Sequence, residues 1–494
     1  MTYRPRSIFL PSAFALVVLT LAATADAQRP AKPLIEELAR AMGGSDRILA
    51  VRTIVVEGTG ENYNLGQNIL PDAPLPVFAV TAYSRSIDFA NRRWRQDQMR
   101  EPRFVTGNVT PGRQRIGFDS IAYDIVSDTL TRRASLRADV DRADELVFHP
   151  IGFIQTALRS GTKLTEEQPR GGLRYVRMNA SGNKFGILID PETKLPASIE
   201  MIVYHPVLGD VLLETRFSNW ITIDGIRLPM RISQRLDSRW PLSDIKLSAA
   251  KVNADVGDLA AASALKSAPP LATPVTVTVD TIASGVWYLA GQSHHSVVIE
   301  MRDHLLLVEA PLGDDRTLAV IRRARELRPG KPIRTLINTH HHFDHAGGVR
   351  AAISEGLTVI TQSSNVPFLQ NLARRQHFIV RDALSRRPRP ARIEGVTTKR
   401  VLTSGTRNVE IHHIRGSQHG GALLMVYLPA EKLLIEADVY TPPAANATTI
   451  PPAPFAANLV ENIDRLGLKV ETIVPIHGRV VPIADLRAAV TAAR

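Results

Sequence analysis

The chain has 494 residues, 44% of them hydrophobic, and a formal net charge of +12. This length exceeds what one hydrophobic core usually serves, so two domains are expected. The sequence contains no cysteine, which excludes disulfides, thiolate metal sites and a cysteine nucleophile, so any metal must be held by His, Asp or Glu. The positive charge suits nucleic acid, an anionic membrane or an acidic substrate and specifies none of them.

The first 27 residues follow the pattern of a secretory signal peptide. Arg4 and Arg6 form a positive start, residues 8–23 are apolar, and residues 25–27 (ADA) fit a cleavage signal. We therefore expect an exported protein, periplasmic or secreted, whose mature chain begins at Gln28; an uncleaved anchor is the alternative. No later apolar run in the sequence has the length of a bilayer span, so none is expected in the mature chain.

Residues 28–259 are expected to form a domain made mainly of antiparallel β-strands. A short helix comes first, because Leu34, Ile35, Leu38 and Met42 are spaced for one helical face. Strand-like runs separated by turn signals follow it: RTIVVEG, VFAVTAYS, RYVRMNA, KFGILID, ASIEMIVY, DVLLETRFS and IRLPMRIS.

Two phrases in this domain, IDPETKLPASIEM and WITIDGIRLPMRI, resemble the curved-sheet domains of periplasmic lipoprotein carriers. A curved sheet can cradle an apolar ligand, but no site motif appears here, so we expect a packing or docking role. The basic segment NRRWRQDQMR, residues 91–100, has the composition of a nucleic-acid surface. We expect a solvated strand face instead and no nucleic-acid partner.

Residues 260–274, AAASALKSAPPLATP, are the expected linker, because proline limits helix and strand alike. Residues 275–494 then alternate strands and helices, as an α/β layered fold does. Strands are expected at VTVTV, GVWYLAG, SVVIEM, HLLLVEA, IRTLIN, LTVIT, ALLMVYLP and KLLIEA, and helices at residues 316–327, AAISEG, VPFLQNLARR and ADLRAAVTAAR. All but two of the 14 histidines follow the linker, so chemistry is expected in this second domain.

The stretch INTHHHFDHAGG, residues 337–348, crowds metal-competent side chains behind an apolar strand. On an extended loop His340 and His342 point the same way and can bind one ion, while Asp344 and His345 turn toward a second position. Two glycines, Gly347 and Gly348, let the next helix start close to these side chains. This pattern predicts a two-metal site, which lowers the pKa of a shared water and stabilises a transition state.

Two ions need more ligands than this stretch provides. His419 in RGSQHGG, Asp438 in IEADVY and His477 in VPIHGR each lie at a junction between a strand and a loop. Layered α/β folds place their sites at such junctions, so these three residues are the remaining candidate ligands.

The order H-x-H-x-D-H, a distant His, an Asp that closes a strand and a final His resembles the metallo-β-lactamase superfamily over residues 275–494. The resemblance implies an αββα sandwich with two zinc ions at one edge and no other cofactor. His340, His342 and His419 would hold the first ion, Asp344, His345 and His477 the second, and Asp438 would bridge them. Glu309 occupies the place where most members have a supporting aspartate.

The same resemblance implies a zinc-dependent hydrolase acting on a small molecule. A hydroxide that bridges the ions would attack a carbonyl carbon, Asp344 would orient it, and Tyr440 is a candidate donor to the oxyanion. The bridging Asp438 is similar to that of glyoxalase II and lactonases, so an ester, lactone, thioester or amide substrate is expected. The alternatives are β-lactamase-like activity, a phosphodiesterase, and a carrier of an apolar ligand with no enzymatic activity; the oligomeric state stays open.

The neighbouring histidines receive weaker assignments. His294 and His295 precede a strand near the expected mouth of the site, where a surface loop is favoured over substrate contact. His341 is expected to point away from the metals, and either His412 or His413 to support a ligand from behind.

Overall fold

The computed structural model describes residues 29–105, 109–447 and 453–492. The expected signal peptide and its cleavage site lie outside these ranges. In the described part of the chain, no helix has both the length and the apolar character needed to cross a membrane.

Residues 29–252 provide fourteen described strands that form one antiparallel sheet. The strands are β1 (Arg29–Pro30), β2 (Thr53–Tyr63), β3 (Val77–Asp88), β4 (Arg93–Pro102), β5 (Gly112–Asp119), β6 (Ile121–Ile125), β7 (Thr131–Arg133), β8 (Lys163–Arg170), β9 (Leu173–Ala180), β10 (Asn183–Ile189), β11 (Pro196–His205), β12 (Gly209–Ile223), β13 (Ile226–Leu236) and β14 (Trp240–Val252). Their spatial order is β1-β8-β9-β10-β11-β12-β13-β14-β2-β3-β4-β5-β6-β7. The seven runs expected from the sequence all lie in strands of this sheet, which confirms them.

Helices cover one face of the sheet. They are α1 (Lys32–Ala41), α2 (Ser45–Ala50), α3 (Leu136–Asp144) and α4 (Pro150–Ala157). Helix α1 buries Leu34, Ile35 and Leu38, as the spacing predicts. These side chains belong to one apolar cluster that also includes residues of α2, of α4 and of the strands that lie between β9 and β5 in the spatial order given above. Strands so far apart in the sheet reach a common core only if the sheet curves around these helices.

The basic segment 91–100 is not a uniformly solvated strand face. Trp94 on β4 is 1% exposed, its indole N–H donates to the backbone oxygen of Arg142, and the Arg85 guanidinium lies 4.5 Å from its ring centroid. A buried ring cannot stack on a base, so this geometry removes the aromatic part of the nucleic-acid pattern.

The expected linker is partly ordered against the first sheet. It contains α5 (Ser263–Ser267), and the Lys266 ammonium lies 2.8 Å from a carboxylate oxygen of Asp119. The backbone N–H of Ala261 donates to the same carboxylate at 2.9 Å. Only the proline-rich end of the segment, residues 268–274, therefore lacks helix and strand as expected of the whole.

The remaining strands form two further sheets. In the described residues the seven-stranded sheet consists of β15 (Thr278–Ala283), β16 (Val286–Ala290), β17 (Ser296–Glu300), β18 (Leu305–Val308), β19 (Ile333–Ile337), β20 (Thr358–Gln362) and β21 (Ile393–Val396). The six-stranded sheet consists of β22 (Lys399–Ser404), β23 (Arg407–His413), β24 (Leu424–Leu428), β25 (Leu433–Glu436), β26 (Thr472–Pro475) and β27 (Val481–Pro482). The helices are α6 (Asp314–Leu327), α7 (Phe343–Ala346), α8 (Val349–Ser354), α9 (Val366–Arg374), α10 (Ala383–Arg386), α11 (Ala456–Leu466) and α12 (Ile483–Ala492), with a 3-10 turn at Ser363–Asn365.

These elements stack as helix, sheet, sheet and helix. Alternate side chains of a strand face opposite sides, and in β18 Leu305 and Leu307 pack on the layer of α6, α8 and α9. Leu306 and Val308 pack on the second sheet instead. Helices α11 and α12 cover the outer face of that sheet. A strand buried on both faces reads as a continuous apolar run, which is why HLLLVEA lacks polar alternation.

The N-terminal sheet contacts the sandwich directly. The Arg375 guanidinium after α9 lies 2.5 Å from Asp237, and the backbone N–H of Phe378 donates to Asp210 at 2.6 Å. The imidazole of His205 lies 5.4 Å from the Phe343 ring of α7. The two parts of the chain therefore meet beside the histidine-rich stretch.

Gly347 is required by close packing rather than by its backbone angle. A Cβ at this position would overlap the backbone oxygen of Leu312, which belongs to the loop before α6. We predict that Gly347→Ala lowers the free energy of unfolding by about 1–3 kcal/mol, because the clash is with backbone atoms. Gly313→Ala is the matched control, since no atom lies within 4 Å of a Cβ placed there. Equal unfolding free energies for the two variants in urea would contradict this packing argument.

Candidate metal centre

The candidate ligands lie where paired parallel strands end. Val308 of β18 pairs with Ile337 of β19, and Glu436 of β25 pairs with Pro475 of β26, each in parallel register. Parallel strands bring their carboxyl ends to one edge, so the residues that follow them meet at one edge of the sandwich. The predicted ligands on these loops are therefore brought together by strand direction.

Four histidines surround the carboxylate of Asp438. The Nε2 atoms of His340, His345 and His419 lie 3.3, 3.0 and 2.8 Å from Asp438 Oδ2. The Nε2 atom of His477 lies 2.7 Å from the other oxygen, Oδ1. Asp438 thus occupies the centre of the predicted ligand set, as a bridging residue requires.

Several of these buried atoms lack a hydrogen-bond partner among the described residues. They are His340 Nε2, His342 Nδ1, His419 Nε2 and Asp438 Oδ1. For His340, His419 and Asp438 a neighbouring polar atom lies within 3.3 Å, yet these atoms form no hydrogen bond. A buried polar atom without a partner is costly and signals a missing ion or water. Imidazole nitrogens and carboxylate oxygens are ligands that zinc accepts, so the donor set fits a metal ion.

The ligand atoms fall into two main groups. Those of His340, His342, His419 and Asp438 lie within 4.8 Å of one another, as do those of His294, His345 and His477. Burial lowers the pKa of His340 to about 3, with a further lowering from His345 nearby, so this imidazole is in the neutral form that binds metal.

Glu309 fixes the orientation of two of the histidines. Its fully buried carboxylate contacts Nδ1 of His345 at 3.2 Å and accepts from the Thr339 hydroxyl at 2.5 Å. Because that hydroxyl gives its only proton to Glu309, it accepts from Nδ1 of His340 at 2.9 Å. Both rings therefore present Nε2 to the site. The Asn338 amide also donates to Glu309 at 3.1 Å. Glu309 thus provides the supporting contacts that the sequence comparison with the metallo-β-lactamase superfamily leads us to expect from an aspartate.

Two further rings are held by backbone oxygens. His342 contacts the backbone oxygen of Asn68 through Nε2 at 3.1 Å, which leaves Nδ1 for the site. His477 contacts the backbone oxygen of Ser293 through Nδ1 at 2.9 Å, which leaves Nε2. The Nε2 atoms of His477 and His345 are then only 3.2 Å apart, so a proton or a metal ion must lie between their lone pairs.

The surroundings of His345 favour a proton on its ring. Burial would lower the pKa of His345, but the negative charge of Asp438 and the hydrogen bond to Glu309 raise it well above its ordinary value. A metal ion that binds here would displace this proton, so binding is coupled to proton release.

Asp438 adopts a strained backbone conformation with φ of 65°. Glu436, which is fully buried, holds the turn by accepting from the backbone N–H groups of Val439 and Tyr440 at 3.3 and 3.2 Å. Burial, together with the charge of Asp438, raises the pKa of Glu436 well above its ordinary value.

Asp344 lies beside the cluster and is held by two donors. The Gln67 amide donates to its Oδ1 at 2.8 Å, and His294 Nε2 lies 3.2 Å from its Oδ2. That Oδ2 is 3.9 Å from His345 Nε2. Burial would raise the pKa of Asp344, but the hydrogen bond from His294 and the neighbouring histidine charge lower it. The carboxylate is therefore ionised and adjacent to the second group of ligands.

The expectation that His294 lies on a surface loop is wrong. It is 6% exposed, and its ring centroid lies 4.1 Å from that of His477. Spacing gave no reason to separate it from His295, whose ring packs 5.0 Å from Tyr288. Only the folded chain shows that His294 faces Asp344.

The remaining candidates lie behind or away from the cluster. Tyr440 packs in the apolar cluster beneath α11 and is not among the described residues that line the cavity above the histidines. His341 belongs to none of the ligand groups found among the described residues, and its ring packs 5.9 Å from Phe368. His413 contacts the backbone oxygen of Gly421 at 3.0 Å and so braces the loop of His419, whereas His412 pairs with Glu410.

The cluster opens into a cavity of about 480 Å³. The side chains of His419, His477 and Asp344 are 18, 20 and 35% exposed, whereas His340 is fully buried, so the ligand set has a closed side and an open side. A structural metal site is closed, while a catalytic one keeps an open position.

Residues 290–477 match the family model of the metallo-beta-lactamase superfamily. The C-terminal domain is a metallo-beta-lactamase domain. This match confirms the expected family and the expected fold class, an α/β sandwich of αββα type preceded by a mainly antiparallel β domain.

Several solved structures are similar to the metallo-beta-lactamase domain. A metallo-beta-lactamase from Pontibacter korlensis is 17% identical over 44% of this chain and 98% of that one, with a TM-score of 0.34. One from Hirschia baltica is 18% identical over 44% of this chain and 98% of that one, with the same TM-score of 0.34. No curated protein matches the chain.

Glu309→Gln tests the orienting role of the buried carboxylate. The amide removes the charge that faces His345 and one acceptor position, so we predict about ten- to a hundredfold weaker zinc binding. Chelator competition measures this affinity. Glu326→Gln is the control, because its side chain is 60% exposed on α6. Unchanged zinc affinity in Glu309→Gln would show that the carboxylate only fills space.

Proposed function

We propose that this protein is an exported dizinc hydrolase that cleaves an ester, lactone, thioester or amide bond. The observation that carries the proposal is the ring of buried nitrogen and carboxylate atoms around Asp438, which point at common positions without hydrogen-bond geometry. Export rests on the pattern of residues 1–27 alone.

Zinc ions in this site would supply a water of lowered pKa and a Lewis acid for the carbonyl oxygen. His340, His342 and His419 would hold the first ion, His345, His477 and Asp344 the second, with Asp438 between them.

The chain's own residues prepare the proton transfer. Asp344 is ionised, borders the cavity and is held at both oxygens by Gln67 and His294. A carboxylate fixed in this way can orient a water and accept its proton as the attack proceeds. His294 Nδ1 in turn lies 2.8 Å from the Ser293 hydroxyl, which donates to it and so keeps the ring proton on Nε2, where it bonds Asp344.

Three other functions compete with this proposal. A β-lactamase would attack a strained amide with the same groups, a phosphodiesterase would need to neutralise phosphate charge, and a carrier would need no open metal position. A panel of substrates separates these functions. Turnover of p-nitrophenyl butyrate and a γ-lactone supports the proposal, turnover of nitrocefin a β-lactamase, and turnover of bis(p-nitrophenyl) phosphate a phosphodiesterase. A carrier would turn over none of them.

Metal content gives the first test. We predict about two zinc equivalents per chain in the purified mature protein, because seven ligands exceed what one ion takes. Chelation should abolish ester hydrolysis, and added zinc should restore it. One equivalent, or turnover that persists in chelator, would contradict a two-metal mechanism.

Asp438→Asn gives the second test. The amide removes one negative charge between two dications, so the second ion should bind more weakly and hydrolysis should fall by about a hundredfold or more. Asp280→Asn, at an exposed position of β15, is the control. Wild-type zinc content and rate in Asp438→Asn would show that this residue is not the bridge.

A further inference from the structure

The loop between β2 and β3, residues 64–76, belongs to the N-terminal sheet but lies against the metal centre; we call it the hairpin loop. The backbone oxygen of Gly66 accepts a hydrogen bond from the backbone N–H of Phe343 at 3.2 Å. The backbone oxygen of Ile69 accepts one from the backbone N–H of Gly421 at 2.7 Å. Phe343 and Gly421 flank ligands of the cluster. The loop is therefore bonded on both sides of the site.

Two hydrogen bonds from the hairpin loop reach candidate ligands themselves. The Gln67 amide donates to Asp344 Oδ1 at 2.8 Å, and the backbone oxygen of Asn68 holds Nε2 of His342 at 3.1 Å. Gln67 and Asp344 are 277 positions apart in the sequence. The first domain thus fixes one residue of each predicted ligand group.

The hairpin loop also forms a wall of the cavity. Ile69, Leu75 and Phe104 from the N-terminal domain face Phe455 of the metallo-beta-lactamase domain across it. The described residues that line the cavity include no lysine or arginine, and residues 106–108 and 448–452 contain none in the sequence. An anionic substrate would find no fixed cation among the described lining residues, whereas an uncharged apolar chain would be desolvated against these side chains.

We propose that the hairpin loop completes the catalytic site. Gln67 is a positioning residue that holds Asp344, and the apolar wall selects an uncharged ester or lactone with an apolar chain. This inference rests on the proposed hydrolase function and narrows its substrate class. It also assigns the N-terminal domain a role in catalysis that goes beyond packing.

Gln67→Met tests the positioning role, because methionine keeps the length of the side chain and cannot donate to Asp344. We expect kcat to fall by about ten- to a hundredfold with KM changed less than about twofold, and the second zinc ion to bind about tenfold more weakly in chelator competition. Gln370→Met, at an exposed position of α9, should match the wild type. A wild-type kcat, or a raised KM with kcat unchanged, would overturn the positioning role.

Ile69→Lys tests the wall. Ile69 is 39% exposed, so the folded state tolerates a lysine that places a cation in the cavity. Wild-type protein should prefer p-nitrophenyl octanoate over the hemisuccinate of the same phenol by at least about tenfold in kcat/KM, and Ile69→Lys should reduce that ratio by about tenfold. Ile202→Lys, 52% exposed on β11 and away from the cavity, should leave the ratio unchanged.

The two levels of the proposal fail differently. If wild-type protein binds no zinc and hydrolyses neither ester, the proposed function is wrong. If it hydrolyses both with zinc bound but prefers the hemisuccinate, or if Ile69→Lys leaves the ratio unchanged, the apolar wall is wrong and the hydrolase stands.

Discussion

The negative charge of Asp438 among four imidazoles is the constraint on which the site depends. Its two oxygens lie within 3.3 Å of the Nε2 atoms of four histidines that come from three separate loops. Each loop follows a buried strand, so the sandwich core sets their positions. The strained backbone at Asp438 is held by Glu436 from beneath, and the orientation of His340 and His345 is set by Glu309. Two buried acidic side chains thus orient the cluster from behind.

The open side of this cluster is completed from the other domain. A metallo-beta-lactamase sandwich alone would leave Asp344 Oδ1 and His342 Nε2 without the partners seen here, because Gln67 and Asn68 supply them. The salt bridge between Arg375 and Asp237 and the packing of His205 on Phe343 keep the two parts in register. The fold of the N-terminal sheet is thus tied to the chemistry of the C-terminal domain through one loop.

The sequence pointed to the residues that meet around Asp438 because each one is a local feature. A histidine or aspartate that ends an apolar strand can be read from a few neighbouring residues, and His340, His345 and Asp438 were found in this way. Gln67 and Asn68 carry no such signal: their partners are hundreds of positions away, and their loop resembles any polar turn. The burial of His294 and the packing of Tyr440 likewise depend on tertiary contacts that local sequence does not show.

Zinc-edge anomalous diffraction from crystals of the zinc-loaded full-length protein tests the central claim most directly. We predict two anomalous peaks about 3.5–4 Å apart, one on each side of the Asp438 carboxylate, with the Gln67 amide still bonded to Asp344. A single peak, or two peaks that Asp438 does not separate, would contradict the bridged two-metal site.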